Sequence, residues 1–388
     1  MHRESLSRIA SHVLLATTLT LAVFSADAGN GRKIVQVADV ATLYTEIARP
    51  QNAGALLVLG RGPYPLDPTR PNGGRLELQQ DMGLQGVSGD AGAVVIDAQM
   101  LLPAQFASEG GFPTGAIRLG RGKNSVEWLT VQNTANGTAA ITTDLAGDSS
   151  PDVRVAYVVA RAGQRGLDAR NLNAPGRKMK LEAVGNQFLD NTAKVGQGLR
   201  ILNSNSQGAR IKAQLSGNLS SGNTTGCIVS NLNSSDADID VQSAGDSFVG
   251  NANGCIVLGG LAQGDGTAAQ DNTISFDATG DSFFDNVRPL PATFAEPGGL
   301  LVIGGQSQGA DAHASGNMVG IDLHDAQWGT NQGWDMQVWG AQTADAQPAG
   351  TDNEVTVRLR GTAAQAWTTV RPSAPVEAAG TNTTSISR

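Results

Sequence analysis

Residues 224–231 read TTGCIVSN and residues 251–260 read NANGCIVLGG, and between them they hold the only cysteines of the chain, Cys227 and Cys255. Each cysteine follows a glycine and precedes Ile-Val, and the two lie 28 residues apart. Matching settings at such an interval mark a repeat. Working outward, Gly185, Gly217, Gly245 and Gly280 align, with Met179, Ile211, Ile239 and Ile274 six residues before them. Asn186, Asn218, Asp246 and Asp281 follow one residue later, and Asn191, Asn223, Asn251 and Asn286 six residues later. Phe188, Phe248 and Phe283 recur in the third position after the glycine. A second strand follows in each unit, as GLRIL at 198, GCIVS at 226, GCIVL at 254 and GLLVI at 299. The same strand starts are read at Val126/Trp128, Val153/Val155, Val319/Ile321 and Val355/Val357.

Alternating apolar and polar residues give each strand one buried face, and tandem units bury it by stacking. Stacked asparagines at a turn satisfy one another along the stack. The pattern predicts an all-β solenoid. With the opening VQVADVATLYTEIARPQNAGALLVLGRGPYPL (35–66) and the coils at 75–99 and 116–133, it resembles the right-handed parallel β-helix proteins of the pectin-lyase-like superfamily. The resemblance implies a β-helix of about nine or ten coils, running roughly over residues 34–361, capped by a short N-terminal helix. Asp39 is placed to N-cap that helix, with Val40, Leu43 and Ile47 on one face. Such a fold serves lyases, hydrolases, adhesins and noncatalytic proteins, so it does not by itself give a function.

In that fold the two cysteines are expected on consecutive coils, about 4.8 Å apart, pointing inward in register with Leu199 and Leu300. A buried thiol pair and a disulfide both remain open. Neither is catalytic, because an interior thiol lacks an accessible electropositive setting.

Residues 1–28 combine a basic head, an apolar run from Ile9 to Phe24 and Ala26-Asp27-Ala28, which reads as a cleavable secretory signal. The expected organisation is a signal at 1–28, a β-helix domain at 29–361 and a tail at 362–388 that packs on the helix exterior. Export implies a secreted or periplasmic location; no membrane span and no nucleic-acid partner is read, and the oligomeric state is left open. Charge is unevenly spread behind the net −8: residues 154–212 hold 11 Lys/Arg against 3 Asp/Glu, and residues 213–388 hold 5 against 18. A basic third on an acidic background points to an anionic partner.

Counting from the aligned glycines, Glu127, Arg154, Lys180, Lys212, Asp240 and Ser275 fall in one outward column. Stacked cations suit either a solvated face with mixed pairing or a groove for an acidic, uronate-containing polysaccharide. Arg161, Arg165, Arg170, Arg177, Lys178, Lys194 and Arg200 add to the field. Eliminative cleavage of a uronate polymer needs a carboxylate neutraliser and a base. The resemblance to lyases of this superfamily implies a Lys or Arg base, which selects Lys180 and Lys212, with Arg154 and Arg200 as carboxylate clamps. Asp236, Asp238 and Asp240 suit an oxygen-liganded Ca2+, or simply an acidic strand edge.

Trp328, Trp334 and Trp339 crowd one stretch and form either a sugar platform or a plug. The outward column Arg200, Ile228, Ile256, Leu301, with Leu258 and Ile303 beside it, calls for a cover. Of the polygalacturonase pattern only Arg210-Ile211-Lys212 is present, and GIDLHDAQWG (320–329) is similar to a pectate-lyase stretch through Asp322 and His324 alone. The functional expectation is a polysaccharide-interacting protein acting as a lyase on acidic glycan. The alternative is a noncatalytic surface or matrix protein used for adhesion or scaffolding.

Overall fold

The computed structural model describes residues 31–106, 113–134, 138–192, 196–287, 298–343, 350–361 and 382–387. Residues Ile34–Arg388 form a unit of their own. The segment at 1–28 read as a signal lies outside the described residues, as do Lys194 and most of the tail.

The repeat folds as expected into a parallel β-helix. One unit runs Arg210–Ser216, Leu219–Ser221 and Thr225–Leu232, and the next runs Asp238–Ala244, Ser247–Val249 and Asn253–Gln263. Each strand pairs in parallel with its counterpart one unit on, building three long sheets of 12, 9 and 9 strands. We call them the first, second and third sheets in the order in which the chain meets them. The first runs from Ile34–Val37 to Thr383–Ser387. The short described piece of the tail therefore extends a sheet, pairing with Glu354–Arg360.

Inward side chains of the three sheets meet in one core. In the first sheet Ile211, Ile239 and Ile274 stack in register, then Ala213, Val241 and Phe276. In the second, Phe248, Phe283 and Trp328 stack with ring centroids 5.3 and 4.6 Å apart. In the third, Leu199, Cys227, Cys255 and Leu300 form a single column. Both cysteines are free thiols and fully buried. The Cys227 pKa is raised by its hydrogen bond with Cys255, by burial and by the charges of Asp246 and Asp281. Burying side chains of this size contributes roughly 2 kcal/mol each.

The corners carry the polar half of the repeat. Gly185, Gly217, Gly245 and Gly280 turn the chain out of the first sheet with φ between 61° and 69°, which glycine adopts without steric cost. Beside them the Asn186 side-chain amide donates to Asn218 Oδ1 at 2.8 Å and the Asn218 amide to Asp246 Oδ1 at 2.9 Å. A second ladder runs through Asn191, Asn223, Asn251, Asn286 and Asn331. Each amide thus replaces the water that a buried turn has lost. At the N-terminal end Asp39 caps α1 (Val40–Ala48), accepting from the Thr42 amide at 2.7 Å, and Leu43 and Ile47 are buried beneath it.

Candidate functional site

Two outer faces concentrate chemistry, and most of the residues singled out from the sequence divide between them. The first is the outer face of the first sheet. Lys178 stands directly opposite Arg210, and Lys180 directly opposite Lys212, on the adjacent parallel strands Lys178–Val184 and Arg210–Ser216. All four are exposed. Arg210 reaches Asp238 at 3.1 Å and Lys212 reaches Asp240 at 3.9 Å on the strand beyond, while Asp152 lies opposite Lys180 on the other side. The four cations therefore face three carboxylates, and like charges sit opposite one another, an arrangement that destabilises a sheet.

Arg154 lies two residues out of the column assigned to it: it pairs with Glu182, whereas Lys180 pairs with Asp152. It ion-pairs with Glu127 at 3.2 Å and with Glu182, and is about one-third exposed. Burial works to lower its pKa, but the two glutamates outweigh burial and hold it above the usual value. Farther along the same sheet Asp322 lies opposite Asp277, with His324 Nε2 at 3.2 Å and Arg360 at 3.1 Å. Asp238 and Asp240 are turned to cations, and Asp236 sits in a turn with φ 52°. Among the described residues no three His, Cys, Asp or Glu side chains gather as a metal site.

The second face is the outer side of the third sheet, and it is largely buried. An alternating chain of charges crosses it, from Glu77 to Arg118, Asp144, Arg170, Asp168 and Arg200. Arg200 grips Asp168 through both carboxylate oxygens at 2.8 and 2.6 Å. Burial alone would raise the Asp168 pKa, but Arg200 and Arg170 hold it far below the usual range. For Asp144 burial is likewise overcome, by Arg170 and Arg118. Arg200 is thus committed to Asp168 rather than left free as a clamp, and it shares no sheet with Lys180 and Lys212. Arg170 and Arg177 are buried and add nothing to a surface field.

Beyond Arg200 the same face turns apolar. Ile256, Leu258, Leu301 and Ile303 are buried with Trp334 and Trp339, both less than one-tenth exposed. Of the two readings of the tryptophans, platform or plug, burial speaks against the platform: Trp334 and Trp339 belong to this cluster, and Trp328 closes the interior aromatic stack. The stripe that called for a cover is buried at Ile256, Leu258, Leu301 and Ile303 and half-buried at Arg200 and Ile228.

No family model and no curated protein matches the chain. Among solved structures it is similar to the A-module of the mannuronan C-5 epimerase AlgE6 of Azotobacter vinelandii, with 13% identity over 90% of this chain and 94% of that one, at a TM-score of 0.39. It is also similar to the surface protein and adhesin PfbA of Streptococcus pneumoniae, with 8% identity over 90% and 94% and a TM-score of 0.31. At these scores neither likeness bears on what the chain does.

Proposed function

We propose that the chain is an exported protein that binds an acidic polysaccharide on the outer face of its first sheet. One observation carries this reading: the exposed square of Lys178, Lys180, Arg210 and Lys212, in which like charges stand opposite one another on neighbouring strands. A linear polyanion relieves that repulsion, and rigid strands hold the cations at a regular spacing that a repeating carboxylate or sulfate can meet. Lys180 and Lys212 are the candidate bases if the bound polymer is cleaved by elimination; Arg154 would serve as the neighbouring carboxylate contact only by exchanging Glu127 or Glu182 for the substrate carboxylate. Export rests on the signal-like segment at 1–28.

The test is retention of the purified protein on immobilised polygalacturonate, alginate and heparin, with and without Ca2+, along a salt gradient. Salt-sensitive retention is expected, with Lys180→Glu/Lys212→Glu eluting at markedly lower salt. A wild-type protein that passes all three resins at low salt would refute the proposal. Ultraviolet absorbance of unsaturated uronate products decides between the two modes. A rise that Lys180→Ala or Lys212→Ala abolishes assigns elimination to this face, whereas binding without a rise favours adhesion or scaffolding.

A further inference from the structure

We propose that Trp128 and Tyr157 form a sugar-stacking subsite at the corner where the chain leaves the first sheet. The inference rests on the polysaccharide reading above and extends it to residues on which that reading does not depend. The corner is the one that later units turn with glycine. Trp128 N donates to Ala156 O at 3.1 Å, Tyr157 N to Val184 O at 2.8 Å and Gly185 N to Ser216 O at 2.9 Å, so the three occupy equivalent places in successive units. Trp128 has φ 57° and Tyr157 φ 56°, and no other aromatic among the described residues has a positive φ. A bulky side chain in the left-handed region is strained, and such strain gathers at binding sites. Two adjacent units thus accept at this corner a cost that Gly185, Gly217, Gly245 and Gly280 avoid.

What the strain obtains is a pair of stacked, half-buried rings at the corner. The two rings stack with centroids 4.0 Å apart and planes 14° from parallel, and both residues are half-buried. A Cβ at Gly185 would lie 2.6 Å from the Tyr157 ring, so the absent side chain of the next unit leaves the ring its room. Neither the Trp128 indole N–H nor the Tyr157 hydroxyl makes a hydrogen bond among the described residues. Both polar tips are therefore free to meet sugar hydroxyls. Arg154, three residues before Tyr157 and about one-third exposed, leads from this corner towards the Lys180 strand. The Tyr157 ring lies between Trp128 and Gly185, so the indole face turned away from Tyr157 is the one on which a pyranose C–H face would stack, with the sugar's carboxylate towards the cations.

The experiment compares Trp128→Gly, Tyr157→Gly and the double variant with the wild-type chain. Glycine suits the left-handed corner, so the substitutions leave the melting temperature unchanged or raise it. Affinity for polygalacturonate is expected to fall on the order of tenfold. Its salt dependence should stay as in wild type, because no cation is removed, whereas Lys180→Glu/Lys212→Glu flattens that dependence. Wild-type affinity in the double glycine variant would overturn the subsite and leave the polysaccharide reading standing. A drop in melting temperature that accounts for the lost affinity would overturn it too, since the stack would then be structural. Failure of the wild type to bind any of the polyanions removes both readings together.

Discussion

Asp281 stands directly above Asp246 in the corner ladder, accepting its amide at 2.9 Å, and the single hydroxyl of Ser243 bridges their remaining oxygens at 2.6 and 2.7 Å. One hydroxyl has one proton to donate and cannot serve two carboxylates, so the trio needs a further proton on one acid. From the third sheet the buried Cys227 thiol feels the charges of both acids. Burial pushes Asp246 up to about 6, and burial together with the Asp246 charge pushes Asp281 up to about 8.

Stability should consequently fall as the solution is made alkaline. A carboxyl whose folded pKa lies above its unfolded value contributes stability that is complete below about pH 4 and is lost as pH rises through the folded value. Asp281→Asn, which continues the asparagine ladder, should remove most of that decline and raise stability at pH 8 by on the order of 2 kcal/mol. Thermal melts of both proteins between pH 5 and pH 9 check this, and parallel curves would contradict it.

The third sheet sets the opposite limit. Asp168 and Asp144 are held below their ordinary range, so their contribution is present above about pH 4 and disappears as pH falls through the lowered values. Asp168→Asn leaves Arg170 and Arg200 without their shared anion and should cost roughly 3 kcal/mol. Denaturant titration at neutral pH measures it. A loss under about 0.5 kcal/mol, the size expected of an ordinary surface change, would show the network to be dispensable.

The ladders should matter unevenly. Asn223 donates to Phe188 O at 2.9 Å and to Asn251 Oδ1 at 3.1 Å, and accepts from Asn191, all buried. Asn223→Ala should therefore cost about 3 kcal/mol, because it leaves several buried partners unmet. Asn233, whose amide bonds Gln263 O at the surface, should cost under about 1 kcal/mol when truncated. Equal losses would mean that the ladder contributes no more than a surface bond.

Cys227 and Cys255 should be inert until the fold opens. Both are fully buried, and the Cys227 pKa is raised, so a thiol reagent should count none in the native protein and two in denaturant. Rapid labelling under native conditions would place them elsewhere.

Much of this architecture was legible because glycine and asparagine punctuate the repeat at its corners. Counting from Gly217 and Gly245 puts Cys227 opposite Cys255, as found. The count slipped by two at Arg154 for a physical reason. The corner of that unit is Tyr157, not glycine, and the column shifts when the strand is anchored on Val153 as though it matched Met179. Val153 in fact pairs with Leu181. Trp128 misled in the same way, reading as a strand residue though it turns the chain. The stacked aromatics were thus hidden by the substitution that makes them informative. Trp334 and Trp339 could not be assigned from spacing, since an outward position in a strand is wet or dry according to what lies over it, which periodicity does not record.

Each turn of the β-helix receives hydrogen bonds from the one before and hands an equivalent set to the one after, as Asn191, Asn223 and Asn251 do. The length of the molecule is therefore a quantity that evolution can adjust by duplicating or deleting a gene segment for one whole turn, such as the 28 residues from Asn223 to Asn251. A fractional insertion within a strand has no such freedom, since it would turn the interior row outward.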